Sequence, residues 1–435
     1  MAIGKPVRGC LVGIGGYGRT YLRAFEELEK QGLAKLSAVM VRNPAKYAKP
    51  VAELEEKGVV CFTTYDAALH ERNFDFLALC TPLQLHRPQV EQALEAGIPV
   101  LCEKSAAPTV QDVQAMIDVQ ARTGVPLDIA YPQQNSSPVR AIQAALIDGR
   151  LGQVRAVVVR GGWLREERYY QRSAWAGRAR VDGLWTLDGP VNNPLAHYLY
   201  NGMYFASSQP GQVADPVRVR GELYRARPTI EGEDTACIEG TFHNGTRLYY
   251  YVTLVCPDET YRRVRTDIRG ELGSLTWCVG ENESPIRATL NDGTPVEIEH
   301  DEAGGSTLRS TANFARYLLG ESDTLYSPIA ESLKFSRLSN GAFDSSARVH
   351  PIDEQYVDRR EEPLDEYKYV KQHEGEKTRI YELKGIVQAM TEAGDRPGLF
   401  SDIGSPWAIK TEPVDLTDYT HFPQAFEPAE LPWDA

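Results

Sequence analysis

Residues 13–18 read Gly13-Ile14-Gly15-Gly16-Tyr17-Gly18, a G-x-G-x-x-G pattern that directly follows the apolar run at residues 9–12. In such a pattern the first glycine permits a tight turn, the second lets a pyrophosphate approach the backbone, and the third lets a helix pack closely on a strand. Backbone N–H groups at the start of that helix then face the phosphates. The pattern therefore predicts a dinucleotide-binding loop, and the alternative is a glycine-rich turn without a ligand.

Around this loop, the first 130 residues alternate between short apolar runs and amphipathic stretches. Runs that are apolar throughout are typical of parallel strands covered on both faces. They lie at Gly9–Gly13, Leu36–Val41, Phe76–Cys80, Val100–Cys102 and Leu127–Ala130. The amphipathic stretches are Tyr17–Lys30, Pro44–Lys57, Gln89–Ala96 and Val110–Arg122. The alternation predicts an α/β domain of the Rossmann type, a doubly wound parallel sheet, over residues 1–131.

After residue 131 the periodicity changes to that of strands. A helix is expected around Pro138–Asp148, and alternating runs follow it at Val154–Gly161, Val217–Tyr224, Thr235–Phe242, Leu248–Leu254, Arg263–Arg269 and Gly273–Cys278. His243-Asn244-Gly245 is a hairpin signal between two of these runs. We therefore predict an α+β domain with a large, mostly antiparallel open sheet over residues 132–350, for substrate binding and oligomerisation. A face of such a sheet favours a homo-oligomer, a dimer or a tetramer.

Residues 351–435 are less periodic and richer in charge and proline, which predicts a C-terminal extension packed on the body of the protein. One helix is expected within it at Arg379–Ala393. The segment Ser405-Pro406-Trp407 is expected either to cap a pocket or to brace a neighbouring subunit.

The composition narrows the classes of function. The 435 residues carry a net charge of −13, which argues against nucleic acid because nucleic acid selects a basic face. No run approaches the ~20 apolar residues of a membrane helix, and no signal peptide is recognisable. We expect a cytoplasmic protein that binds neither nucleic acid nor a membrane. Cysteines and histidines lack metal-ligand spacing, so no metal is expected.

The end of the second strand bears on the choice of nucleotide. In NAD enzymes an acid about 20 residues after the glycine loop bonds the ribose 2′-hydroxyl. Here the chain reads Val39-Met40-Val41-Arg42-Asn43-Pro44 and has no carboxylate. Arg42, with Lys46 close by, could instead meet a 2′-phosphate. This favours NADP over NAD, with Asn43 beside the site; the alternative is that Arg42 is a solvated loop residue and either nucleotide binds through its phosphates.

Two further segments follow predicted parallel strands. Thr81-Pro82, with His86 four residues beyond the proline, ends the fourth strand, and Glu103-Lys104 ends the fifth. Ligands of doubly wound sheets lie at the carboxyl ends of strands. A lysine held near a positively charged nicotinamide ring would have its pKa lowered towards neutrality.

On the glycine loop, the Thr81-Pro82…His86 segment, Glu103-Lys104 and the order of the two domains, the chain resembles the Gfo/Idh/MocA family, the glucose–fructose oxidoreductase and inositol dehydrogenase group. The resemblance covers roughly residues 7–345. It implies that Lys104 lies beside the reacting carbon and the cofactor. Ser105 replaces the proline that usually follows this lysine.

The same resemblance points to a second segment, Gly189-Pro190-Val191-Asn192-Asn193-Pro194-Leu195-Ala196-His197. Many members carry an Asp four residues before a His there, and Asn193 takes the place of that Asp. Asn193 can bond a sugar hydroxyl but cannot orient a His as an anion would. His197 is expected as the general base; alternatively Lys104 removes the proton and His197 binds the hydroxyl.

Aromatic and arginine side chains are candidates for contacts with a sugar, because rings stack on sugar faces and guanidinium groups donate several hydrogen bonds. They are Tyr169, Arg172, Trp175 and, at the end of the sixth strand, Tyr131. The alternative is that the aromatic rings fill the seam between the domains.

The resemblance implies an NAD(P)-dependent oxidoreductase that acts on a secondary hydroxyl of a sugar, a sugar derivative or a cyclitol. Two alternatives remain at this point. One is a redox-neutral enzyme that retains its nucleotide and shuttles hydride or cleaves a glycosidic bond. The other is a non-catalytic regulator that senses the nucleotide or a sugar.

Overall fold

A six-stranded parallel sheet forms around the glycine loop in the computed structural model, which describes residues 5–257, 263–279, 286–301, 306–363, 377–429 and 431. The strands are β1 (Val7–Val12), β2 (Ala34–Met40), β3 (Val60–Phe62), β4 (Phe76–Leu79), β5 (Val100–Glu103) and β6 (Leu127–Ala130). Their order is β3-β2-β1-β4-β5-β6. This is the doubly wound Rossmann order, so the predicted fold class of the N-terminal part is confirmed.

The helices of the chain, in order, are α1 (Gly18–Lys30), α2 (Ala48–Glu56), α3 (Tyr65–Glu71), α4 (His86–Glu95), α5 (Val110–Thr123), α6 (Ser137–Ile147), α7 (Glu167–Tyr170), α8 (Ala196–Phe205), α9 (Ser306–Leu318), α10 (Ile329–Ser346) and α11 (Ile386–Asp395). Helix α1 buries Tyr21, Phe25 and Leu28, which recur at helical spacing and face the sheet. A Cβ on Gly9 of β1 would lie 2.5 Å from the Phe25 ring, so a glycine in the strand lets this helix pack closely.

The chain divides into two units that are not continuous in sequence. The first unit comprises residues 1–139 and 301–333, and the second comprises residues 140–300 and 334–435. Helix α9 therefore belongs to the first unit, and its Phe314 packs edge-on against Phe76 of β4, with ring centres 5.6 Å apart. Residues 327 and 328 extend the edge of β6, because Ile129 donates to the Ser327 carbonyl (3.0 Å) and Asp128 accepts from the Ser327 N–H.

The second unit is built on a nine-stranded sheet. Its strands are β7 (Val154–Gly162), β10 (Pro216–Arg225), β11 (Thr235–Phe242), β12 (Arg247–Thr253), β13 (Arg265–Gly270), β14 (Gly273–Cys278), β15 (Ile286–Leu290), β16 (His350–Pro351) and β19 (Val414–Asp415). Only the β7–β12 and β10–β16 pairs are parallel. The predicted, mostly antiparallel large sheet is confirmed, and the hairpin at Asn244-Gly245 joins β11 to β12, with Gly245 at a φ of +83°.

Short strands complete the second unit. Two-stranded ribbons are formed by β8 (Arg180–Val181) with β9 (Leu184–Trp185) and by β17 (Val357–Pro363) with β18 (Lys377–Leu383). The helix expected at Arg379–Ala393 is wrong in its first part, which is β18, and right in its second, which is α11. Thr378, Ile380 and Leu383 are buried there, and Gly385, at a φ of +74°, starts the helix instead.

The large sheet is covered on both faces at its centre. On one face α8 packs so closely that a Cβ on Gly202 would lie 2.7 Å from Leu248. On the other, Tyr249 and Tyr251 of β12 pack with Met390 of α11 and with Phe400 and Trp407. The ring of Trp407 lies edge-on to those of Tyr224 and Phe400, with centres 5.1 and 5.0 Å apart. Trp407 is therefore part of its own chain's core.

The end of the extension, beyond residue 431, lies outside the described residues. Among the described residues, no helix combines the length and the apolar character needed to cross a bilayer.

Candidate active site

The glycine loop leaves no room for a side chain at Gly13 and Gly18. Gly13 has a φ of +95°, and a Cβ there would lie 2.5 Å from the Cys80 carbonyl oxygen at the end of β4. A Cβ on Gly18 would overlap the carbonyl of Gly13. Gly16, at a φ of +53°, has no atom within 4 Å of where its Cβ would be. The loop thus forms a cradle of backbone with an uncovered surface, which suits a pyrophosphate.

The carboxyl end of β2 supplies cations and no carboxylate. Arg42 and Lys46 are exposed, and among the described residues neither forms an ion pair. Asn43 begins the short turn Pro44–Tyr47, because its side chain accepts a hydrogen bond from the Lys46 N–H at 3.3 Å. The turn brings the Tyr47 hydroxyl to Gly15, where a Cβ would overlap it. These groups fit the adenosine end of a dinucleotide, and their charge suits a 2′-phosphate.

His86 ties together the two loops that follow β4 and β5. Its Nε2 lies 2.9 Å from the Thr81 carbonyl and its Nδ1 lies 3.0 Å from the Ser105 carbonyl. The side chain is 1% exposed, and burial lowers the pKa of the imidazole. Whichever nitrogen carries the proton, the ring bridges the two loops, so it fixes their positions from the buried side.

Glu103 and Lys104 leave β5 with different surroundings. Glu103 is buried and accepts a hydrogen bond from the Tyr21 hydroxyl of α1 at 2.7 Å. Burial raises the pKa of Glu103 to about 7, although the charge of Lys104 opposes this. Lys104 is half-buried, and the Lys104–Ser105 peptide bond is cis. Tyr131 is buried and donates from its hydroxyl to the Ser105 hydroxyl at 3.3 Å, which places it beside the lysine loop.

Two polar partners in the first unit were not anticipated from the sequence. They are Tyr21, which bonds Glu103, and Gln89, whose side chain accepts from the Thr81 hydroxyl at 2.6 Å. Tyr21 stands four residues after Tyr17, one helical turn along α1, and this spacing was the available signal.

In the second unit, three candidate sugar contacts lie together. The Arg172 guanidinium lies over the Tyr169 ring, with its carbon 3.8 Å from the ring centre, and 5.0 Å from the centre of the Trp175 ring. It also donates to the Tyr169 carbonyl at 2.8 Å. The guanidinium is held in one orientation because it stacks on the two aromatic rings and donates this hydrogen bond.

Asn193 is linked to the same group through Asp188, a residue that was not predicted from the sequence. The side-chain N–H group of Asn193 donates to one carboxylate oxygen of Asp188 at 2.6 Å. The other oxygen accepts from the Gly177 N–H at 2.7 Å and from Arg172 at 3.5 Å. The position of Asp188, directly before the Gly189-Pro190 motif, was the signal that could have found it.

His197 stands in the first turn of α8 and is half-buried. The preceding turn is held by Leu195, whose carbonyl accepts from the Tyr250 hydroxyl at 2.9 Å. Glu233 lies behind Gly189, accepts from the Val191 N–H at 3.1 Å and leaves no room for a Cβ on that glycine. Burial raises the pKa of Glu233 to about 8, so at neutral pH it is mostly protonated.

The candidate residues therefore fall into two groups. The glycine loop, Arg42, Asn43, Thr81, Pro82, His86, Glu103, Lys104 and Tyr131 belong to the first unit, and Tyr169, Arg172, Trp175, Asn193 and His197 belong to the second.

Comparison with known proteins agrees with this geometry. Residues 7–131 match the oxidoreductase family with an NAD-binding Rossmann fold of the GFO/IDH/MocA group, and residues 139–276 match a GFO/IDH/MocA C-terminal domain. The chain belongs to the Gfo/Idh/MocA family. It is an oxidoreductase that binds NAD or NADP.

Among curated relatives, D-apiose dehydrogenase of Rhizobium rhizogenes is 24% identical over 80% of this chain and 97% of its own length. D-xylose 1-dehydrogenase (NADP(+)) of Haloarcula marismortui is 27% identical over 69% of this chain and 81% of its own. The names of these Gfo/Idh/MocA relatives are those of dehydrogenases, which does not favour the redox-neutral and regulatory alternatives.

Among solved structures, the WlbA dehydrogenase of Bordetella pertussis, in complex with NADH and UDP-GlcNAcA, superposes with a TM-score of 0.65 at 22% identity and covers 80% of this chain and 100% of its own. The aldose-aldose oxidoreductase of Caulobacter crescentus, complexed with glycerol, also has a TM-score of 0.65, at 22% identity over 78% of this chain and 97% of its own. At these identities the Gfo/Idh/MocA structures support the fold.

Proposed function

We propose that this protein is an NAD(P)-dependent dehydrogenase that moves a hydride between the nicotinamide and a secondary hydroxyl of a sugar, a sugar derivative or a cyclitol. The observation that carries the proposal is that the glycine cradle and Lys104 both stand at carboxyl ends of strands of the same parallel sheet, after β1 and β5. In the oxidation, the substrate carbon loses a hydride to the bound nucleotide, its hydroxyl loses a proton, and a carbonyl group forms. The curated relatives of this family are named for apiose, xylose and inositol, which supports the substrate class.

The residues divide this work between them. Lys104 and His197 are the candidates for the proton transfer: either His197 takes the hydroxyl proton, or Lys104 takes it and His197 binds the hydroxyl. Tyr169, Arg172, Trp175 and Asn193 bind the sugar, and Tyr131 supports the Lys104 loop through Ser105. General acid–base assistance of this kind contributes typically about 10²–10⁴-fold to a rate.

The nucleotide is NADP in preference to NAD. Support comes from Arg42 and Lys46, which are exposed at the end of β2 where no carboxylate stands to bond a ribose hydroxyl. The glycine loop, Asn43, Thr81, Pro82 and Glu103 complete the proposed cofactor contacts, and His86 positions two of their loops.

The test is a fluorescence titration with NADPH and with NADH for the wild type and for Arg42→Ala. We expect the wild type to prefer NADPH, and Arg42→Ala to weaken NADPH by about tenfold or more while leaving NADH nearly unchanged, because only NADPH carries the phosphate that the guanidinium meets.

Lys49→Ala is the matched control, since Lys49 is an exposed cation of α2 that pairs with Glu53. It removes one positive charge near the site and is expected to leave both affinities unchanged. Equal weakening of NADPH and NADH by Arg42→Ala would contradict the proposed 2′-phosphate contact. A wild type that binds neither nucleotide, and retains none through purification, would refute the proposed function.

The cytoplasmic location and the dimer or tetramer stay predictions. The centre of the face of the large sheet that carries Tyr249 and Tyr251 is covered by the C-terminal extension, so self-association cannot use that central part.

A further inference from the structure

One buried carboxylate, that of Asp188, contacts two side chains of the proposed sugar-binding group and the turn that carries a third. Asp188 accepts from Asn193 with one oxygen, and from Arg172 and the Gly177 N–H with the other. Gly177 ends the turn that carries Trp175, so three separate contacts of the proposed sugar site depend on one side chain.

The backbone around Asp188 fixes this carboxylate in place. Its own N–H donates to the Arg178 carbonyl at 3.0 Å, and a Cβ on Gly232 would overlap its carbonyl. Gly177 has a φ of +72°, and its carbonyl accepts from the N–H groups of Glu231 and Gly232. The Asp188 side chain is 4% exposed, so it acts through its neighbours and does not itself meet a ligand.

The contact with Asn193 has a chemical direction. Because the amide donates its N–H to Asp188, the amide oxygen points away from the carboxylate and is the end that can accept a bond from a sugar hydroxyl. A carboxylate at position 193 would instead face the carboxylate of Asp188, and two such groups at this distance cannot both ionise.

The contact with Arg172 concerns charge. Arg172 and Asp188 are exposed by 15% and 4%, so water screens their interaction little, and the carboxylate offsets the guanidinium charge. The other charged groups nearby are Arg178, which pairs with Glu231, Glu233, whose pKa burial raises to about 8, and Arg165, whose guanidinium carbon lies 5.2 Å from the centre of the Tyr169 ring.

We propose that Asp188 is a positioning and specificity-determining residue: it orients Asn193 and Arg172 as hydrogen-bonding groups and, by offsetting the charge of Arg172, makes the site select uncharged sugars over sugar acids. This inference rests on the proposed function, and it adds a substrate preference and the residue that sets it.

The test compares D-xylose with D-glucuronate, whose ring differs from that of xylose by one carboxylate. Affinity is measured calorimetrically with NADPH bound, and kcat and KM are measured with NADP wherever turnover occurs. The wild type is expected to prefer D-xylose. Asp188→Asn is expected to raise the ratio of D-glucuronate to D-xylose affinity by about tenfold, because the guanidinium is no longer offset. NADPH affinity should stay within about twofold, because the cofactor contacts belong to the other unit.

Asp188→Glu keeps the negative charge and is expected to keep the preference for D-xylose even where KM rises. Asp267→Asn is the matched control. Asp267 is another largely buried carboxylate of the same unit, paired with Arg160 at 2.6 Å and with Arg265. It should lower stability without changing the ratio of affinities, which separates a general loss of structure from a change in the site.

If Asp188→Asn does not fold, Arg172→Gln examines the pair from its other member. The carboxylate then lacks its cation, and D-glucuronate should lose more affinity than D-xylose. An unchanged ratio in the folded variant overturns the role of Asp188 and leaves the dehydrogenase standing. A wild type that favours D-glucuronate, or binds neither sugar, also overturns the inference, whereas failure to bind NADPH overturns the proposed function itself.

Discussion

Lys104 owes its place to buried neighbours in its own unit. His86 holds the carbonyl of Ser105, the next residue, and Tyr131 bonds the Ser105 hydroxyl, so the loop that carries the lysine is fixed from two sides. Such support would preorganise Lys104 for the proposed proton transfer, because the cost of ordering it is met in folding and not during the reaction.

Replacing Lys104 with Met keeps the length of the side chain and removes its charge and its hydrogen bonds. We expect kcat for sugar oxidation to fall by about 10²–10⁴-fold, as for the loss of an acid–base group. NADPH affinity should change far less than kcat. Lys35→Met is the control, since Lys35 is exposed at the opposite end of the parallel sheet. Equal losses in the two variants, or a kcat within twofold of the wild type for Lys104→Met, would remove Lys104 from the reaction.

The residues that sequence could find were those in short motifs. The glycine loop and Glu103-Lys104 depend on spacing along a few residues, and the structure places both at carboxyl ends of parallel strands. Asp188 and Gln89 matter through contacts made by folding, and an isolated Asp or Gln carries no local signal. The chemical roles of the motif residues stay predictions until they are mutated.

At the scale of elements, the C-terminal extension behaves as part of the second unit's core. Its α11 and the segment around Trp407 cover a sheet face formed by tyrosines and small apolar side chains. Those tyrosines also bond the extension: the Tyr251 hydroxyl donates to the Gly398 carbonyl at 2.9 Å, and the Ile409 N–H donates to the Tyr224 hydroxyl at 2.9 Å. The extension is therefore needed to shield this face of the sheet from solvent.

Trp407→Ala measures how much this covering contributes. The side chain is 7% exposed and packs against two rings, so its removal should lower the free energy of unfolding by about 3–5 kcal/mol. Ile409→Ala, a large apolar residue that is 45% exposed two positions later, should cost about 0.5 kcal/mol or less. Guanidinium unfolding of both variants decides the matter; a similar, small loss for both would show that the extension packs only loosely.

The pattern of the extension was harder to interpret than that of either sheet. Strand β18 and helix α11 are separated by only two residues. Charged and apolar residues are mixed across the two elements in a way that fits the period of a helix as well as the alternation of a strand. Pairing with β17 decides in favour of a strand at Lys377–Leu383, and the sequence of the segment alone does not contain that pairing. Long, regular elements such as β11 and α5 carried no such ambiguity.

For the whole molecule, the alternation of strands and helices predicted the doubly wound parallel sheet of the first unit, but it did not predict that residues 301–333 return to that unit. The return depends on contacts such as Phe314 with Phe76 and the hydrogen bond from the Ser327 N–H to Asp128, which join residues about 200 or more positions apart. Sequence periodicity describes which face of an element is buried, and it does not say against which partner.

Asp128 makes the stability of the molecule depend on pH. Burial raises the pKa of this carboxyl from 3.8 to about 7. Between about pH 4 and pH 7 the native state holds a proton that the unfolded chain has released, so a rise in pH through this window lowers the free energy of unfolding. The contribution is at most about 1.4 kcal/mol per pH unit.

Asp128→Asn removes this titration while its amide oxygen can still accept from the Ser327 N–H. The stability of the wild type relative to this variant should therefore fall steadily from pH 4 to pH 7 and level off above, as measured by guanidinium unfolding at each pH. Taking the difference cancels the contributions of other buried groups that titrate, among them Glu103, Glu233 and His86. A difference that is independent of pH would mean that Asp128 is ionised in the native protein.

The return of α9 has a consequence for how the chain is made. Phe314 and Ala315 complete the core of the nucleotide-binding sheet, and they leave the ribosome only after the strands of the second unit up to β15. The N-terminal unit therefore emerges first, and its apolar core stays incomplete until α9 has been synthesised. A gene fragment that ends at residue 139 would encode all six strands and still lack the helix that completes their core, so transferring the whole unit to another protein requires residues 301–333 as well.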